Sequence, residues 1–132
     1  MEDELRLINL KHLIFSVLAL LEPLLSVRLN ADEYGLIFID KAVTQINECI
    51  DELTSTYTNY RCDLCELTEF NIDLIFIENK LERIGKMLVR GKALCVKDCD
   101  PYNRMESVTN SLLKCRNTLQ SIISIGDERP QE

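Results

Sequence analysis

The sequence predicts an all-α protein: an antiparallel up-down-up-down four-helix bundle with coiled-coil-like seams. Three observations carry this. Apolar residues alternate at three- and four-residue spacing through Leu36, Ile39, Val43, Ile46, Ile50, Leu53 and Tyr57. The same alternation runs through Leu67, Phe70, Leu74, Ile77, Leu81, Ile84 and Leu88, and through Met105, Val108, Leu112, Cys115, Leu119 and Ile122. It averages about 3.5 residues, so each stripe stays on one helix face. Second, the 132 residues include only 4 Gly, 3 Pro and no Trp, which favours long helices over a turn-rich sheet. Third, the connections are short, and helices of similar length joined that way pack antiparallel.

Helix one should cover residues 2–29, with a seam at Leu7, Leu10, Ile14, Val17, Leu21 and Leu24. A second apolar face runs through Leu5, Ile8, Phe15, Leu18 and Leu25, and a helix apolar nearly all round must be covered on more than one side. Pro23 lacks a backbone donor and clashes with the preceding turn, so a kink is expected at 20–22. Asn30 suits the N-cap of helix two, with Asp32 and Glu33 in its first turn. That helix should end in the polar, β-branched run 54–59, leaving 60–65 as a connection. Helix three is expected from Asp63 or Thr68 to about Leu94, with its last turns weakened by Gly85 and Gly91 at about 1 kcal/mol each. Asp100 and Pro101 should halt the chain before helix four opens at Tyr102 or Asn103. Gly126 is its natural C-cap, followed by a polar tail, 127–132. One domain, 1–126, results.

A hydrophobic share of 46% and a charged share of 28% are ordinary for a folded chain. Fifteen basic against 22 acidic residues give a net charge of −7, which argues against nucleic acid as a partner and suits a basic one. The chain opens Met1-Glu2-Asp3-Glu4, where a signal peptide would carry positive charge. The uncharged run 13–21 falls short of the roughly 20 residues a bilayer span needs. A soluble chain with a deeply buried first helix is expected.

Cysteine is the strongest chemical lead. Cys62-Asp63-Leu64-Cys65 is a CxxC, and Cys95 and Cys99 form a similar pair. Four thiolates could hold a structural zinc, yet helix three would hold the two pairs roughly 40 Å apart. No metal or cofactor is therefore expected, and Cys62, Cys65, Cys95 and Cys99 are candidates for free thiols or disulfides. Cys49 and Cys115 read as small core residues on diagonal helices.

Arg6 and the only histidine, His12, stand in an Arg-x5-His arrangement. It resembles the Arg and His pair of HEPN ribonucleases, helical dimers in which the pair from two chains cleaves RNA. That resemblance would make Arg6 and His12 catalytic. The chain departs from the pattern in placing Leu7 after Arg6 and the pair on its most apolar helix. Read from the helix alone, both residues belong to its polar edge. With one His there is no Glu-x-x-His pair for a carboxylate-bridged metal site, and no phosphate-cradling glycine loop is present. Lys86, Arg90, Lys92 and Lys97 complement the negative C-terminus of helix three.

The expected function is non-enzymatic: a self-associating interaction or structural protein, a homodimer whose interface is Leu5, Ile8, Phe15, Leu18 and Leu25. Small bundles of this kind occur as virion components and accessory factors, an analogy of fold alone. The alternative is an acidic adaptor or inhibitor on a basic nucleic-acid-binding partner, and the lesser alternative is ribonuclease action through Arg6 and His12.

Overall fold

A computed structural model describes residues 2–28, 33–93 and 100–127. The expectations for Asn30, Asp32, Cys95, Lys97, Cys99 and the tail beyond Asp127 fall outside those residues, as do those for the side chains of Glu33 and Leu36. Among the described residues the chain forms α1 (Glu2–Leu18), α2 (Leu21–Arg28), α3 (Glu33–Arg61), α4 (Leu67–Ala93) and α5 (Asp100–Asp127). The architecture is an all-α four-helix bundle, in which α1 and α2 together form the first helix of the bundle.

The principal packing runs α3 on α4, α4 on α5, and both α1 and α2 on α3 and α5. The first helix and α4 therefore occupy opposite corners. Pairing of ends fixes the direction of each helix. Arg6 at the start of α1 meets Tyr60 at the end of α3, and Arg104 at the start of α5 meets Ser26 at the end of α2. Gly91 near the end of α4 lies under Met105 near the start of α5.

Helical hydrogen bonding is interrupted between α1 and α2. Ala19 N–H still donates to Phe15 C=O at 3.0 Å, but Leu20 N–H turns back to Val17 C=O at 3.1 Å, a tighter three-residue step. Pro23 then falls in the first turn of α2, where backbone N–H groups have no intrahelical acceptor in any case.

The core follows the expected stripes on α4 and α5. Phe70, Leu74, Ile77, Leu81, Ile84 and Leu88 are buried, as are Met105, Val108, Leu112, Cys115, Leu119 and Ile122, while Leu67 is half-buried. On the other helices the buried line is rotated by one position. It runs Ile39, Ala42, Ile46, Cys49, Leu53, Thr56 on α3, leaving Val43, Ile50 and Tyr57 half-buried. On the first helix it runs Arg6, Leu10, Leu13, Val17, Leu20, Leu24, Val27, with Leu7, Ile14 and Leu21 half-buried. These helices carry two adjacent apolar columns, and each packs against two neighbours, so the inward line passes between the columns.

Three helix ends differ from expectation. The helix α3 continues through Tyr60 to Arg61, and within it the Thr54 and Thr56 hydroxyls are satisfied by donating back to the Ile50 and Glu52 carbonyls at 2.7 and 2.8 Å. Tyr60 also anchors that last turn by stacking on Phe70, ring centroids 4.2 Å apart. The end is a Schellman turn: Leu64 N–H donates to Asn59 C=O at 2.8 Å and Asp63 N–H to Tyr60 C=O at 3.2 Å, with Asp63 left-handed at φ 57°. Asp100 and Pro101 do not halt the chain but open α5, since proline is tolerated in a first turn. The same helix passes the expected cap at Gly126 and ends at Asp127.

Candidate interaction face on the first helix

The inner side of α1 carries an unexpected polar cluster. Arg6 is only 2% exposed, against the expectation that it lines a polar edge. Its guanidinium donates to Asp3 Oδ1 at 2.7 Å and to the Tyr60 hydroxyl at 3.2 Å, and Glu2 lies 3.6 Å away. The Tyr60 hydroxyl in turn donates to Asp3. Burial, and then the bond to Asp3, hold the Tyr60 hydroxyl's pKa above its ordinary value. Six positions along an α-helix amount to about 240°, so His12 faces away from Arg6. The structure does not bring the two together within one chain.

The outer side of α1 is apolar. Leu5, Ile8, Phe15 and Leu18, with Leu25 on α2, are between 44% and 58% exposed, and among the described residues no helix covers them. Together they offer roughly 400 Å² of apolar surface, within the size of the largest patch on an ordinary monomer. His12 and Ala19 are exposed between and beside them. The outward line reads Leu5, Ile8, His12, Phe15, Ala19, the same three-four alternation as the buried seams. His12 is the member of that line that the apolar pattern alone does not reveal. Taken with α2, the segment Glu2–Val27 has a hydropathy of 1.7 over its best window, with 33% of that window buried. By length and composition it could cross a membrane, although its longest uncharged run, 13–21, is short.

A second exposed feature lies between α4 and α5. A groove of about 450 Å³ has Gly85 and Leu112 at its base, with Val89 and Leu113 exposed on its walls. Lys86, Arg90 and Arg116 stand around it, the basic exception on an acidic chain. Lys86 lies 3.7 Å from Glu82, and Lys92 sits over the Tyr102 ring at 5.4 Å, so both cations meet side chains.

The described cysteines do not assemble. Cys49, Cys62, Cys65 and Cys115 are free. Cys62 and Cys65 flank the Schellman turn, so this CxxC closes a helix rather than opening one. Burial pushes the Cys49 thiol up to about 12 and the Cys115 thiol to about 11. Cys65 is also raised, by burial first and then by Glu69 and Asp73. Among the described residues no three His, Cys, Asp or Glu side chains converge on a metal position.

The chain matches no protein-family model, no curated protein and no solved structure.

Proposed function

We propose that this is a non-enzymatic, self-associating helical protein, joined to a second copy through the outer face of α1. The observation that carries the reading is the uncovered line of Leu5, Ile8 and Phe15, continued by Leu18 and Leu25, on a helix whose opposite side already serves the core. A second copy of the same helix supplies a matching three-four surface, and two-fold pairs are the commonest assemblies. Covering half the patch on both copies releases about 10 kcal/mol gross, most or all of which the association cost of about 4–15 kcal/mol consumes, so this face alone supports a weak, concentration-dependent pair.

Sedimentation velocity from 1 to about 100 µM tests it. The expected result is a concentration-dependent dimer that persists at high salt and is abolished by Phe15→Glu, with the helical circular dichroism unchanged. A monomer across that range, or a dimer indifferent to Phe15→Glu, overturns it. The second reading, an acidic adaptor on a basic partner, has the −7 charge in its favour. It predicts binding that weakens steeply with salt.

A further inference from the structure

We infer that the groove between α4 and α5 docks an acidic amphipathic helix of another protein, its apolar stripe on the floor at Gly85 and Leu112 and a carboxylate on each of Arg90 and Arg116. This site is separate from the outer face of α1 and does not depend on self-association. The order of groups along the groove points to the shape of the occupant. The helices α4 and α5 run antiparallel, with Gly91 under Met105 and Gly85 beside Leu112. Arg90 therefore stands toward one end and Arg116 toward the other, about nine helical positions or roughly 14 Å apart along the axis. Between them lie the floor and the side chains of Val89 and Leu113, which are 49% and 53% exposed. A single-headed anion would use one of those cations. An occupant with negative charge at both ends and apolar groups between uses both, and about two and a half turns of helix span that length.

The two end cations are available. Lys86, midway along, lies 3.7 Å from Glu82, the single carboxylate on the rim. Among the described residues no ion pair engages Arg90 or Arg116. The Arg116 Nε–H is buried and meets no acceptor among them. Buried donors are rarely left so, and a carboxylate gripped in fork geometry by the guanidinium satisfies this one. Gly85 supplies the room. A Cβ there would meet Leu112 Cδ2 at an ordinary 3.4 Å, so packing inside the bundle does not require glycine. The residue costs about 1 kcal/mol of helix propensity. What its missing side chain leaves is an open floor in a groove of about 450 Å³. On a chain of net charge −7, this groove offers an acidic partner the opposite charge.

The test is fluorescence anisotropy of a labelled helical peptide on the full chain, the peptide carrying leucines at three-four spacing and a glutamate at each end of that stripe. It should bind wild type saturably. Arg90→Glu combined with Arg116→Glu should raise the Kd about tenfold or more. The same double variant should now take a peptide whose glutamates are replaced by lysines, which also shows that it is folded. Gly85→Leu should block the peptide while thermal stability holds or rises. Amide shifts on titration should centre on residues 85–90 and 109–116. No binding to wild type, indifference to the charge reversal, or shifts centred on α1 would overturn the inference. So would decanedioate binding where the peptide does not, which would give the groove to a small dianion. Loss of wild-type self-association in the double variant would give it to a second copy instead, and overturn the inference too.

Discussion

Cys49 shows how much a single position in this core can bias the molecule. Its thiol stays protonated because burial outweighs the attraction of nearby Lys80, and Cys115 behaves alike. A folded-state pKa raised above the ordinary value of 9.0 stabilises the native state fully below pH 9. The contribution is lost as pH climbs toward about 11 for Cys115 and about 12 for Cys49. Urea midpoints should therefore fall between pH 8 and 10.5, and fall less steeply in Cys49→Ala. Under native conditions a thiol reagent should label exposed Cys62 first, leaving Cys49 and Cys115 to react on unfolding. Labelling of Cys49 as fast as Cys62, read by mass mapping, would contradict its burial. Arg6 marks the limit of sequence reading at this scale. Its partner Tyr60 is 54 positions away, so no local pattern announces that an arginine on an apolar helix has been buried.

Among the helices, α4 and α5 were legible to within a residue or two because the three-four column read from the sequence is the one that turns inward, although α4 also exposes Ile72, Ile75 and Phe76. The first helix and α3 carry two, and periodicity alone does not say which column, or the line between them, turns inward. Neither could it assign the glycines of α4. Gly91 is not merely a weak helix former: a Cβ there would meet Met105 Cε at 2.6 Å and Phe38 Cβ at 3.3 Å. Gly85 has room, with Leu112 Cδ2 at 3.4 Å. Gly85→Ala should gain up to about 1 kcal/mol of stability through helix propensity. Gly91→Val should lose about 1–3 kcal/mol to overpacking, and chemical denaturation of the two variants checks the contrast. At the end of α3 the left-handed residue is Asp63, where glycine carries no steric cost. Asp63→Gly should raise stability by about 0.5–1 kcal/mol in the same assay. The expected connection at 60–65 differs from the structure only at Tyr60 and Arg61, which α3 keeps with Tyr60 stacked on Phe70.

At the level of the whole molecule, exposed apolar surface comes with positive charge beside it. The chain is acidic overall, yet the groove between α4 and α5 is ringed by Lys86, Arg90 and Arg116, and the outer face of α1 carries His12 and Lys11 among apolar residues. The residues of that outer face were legible, since an amphipathic count leaves them without cover; His12 was not, because a polar residue drops out of such a count. Self-association resting on apolar contact should survive 1 M salt, where the Debye length is about 3 Å, and yield to the Phe15→Glu charge. The interruption at Ala19 and Leu20 has one more implication. The Arg6–Asp3–Tyr60 cluster pins α1 at one end of the bundle, and the Arg104–Ser26 bond pins α2 at the other. Between the pins the cooperative hydrogen-bond ladder is broken. The break gives the first helix two segments that need not unfold together, and amide exchange should be faster in α2 than in α1.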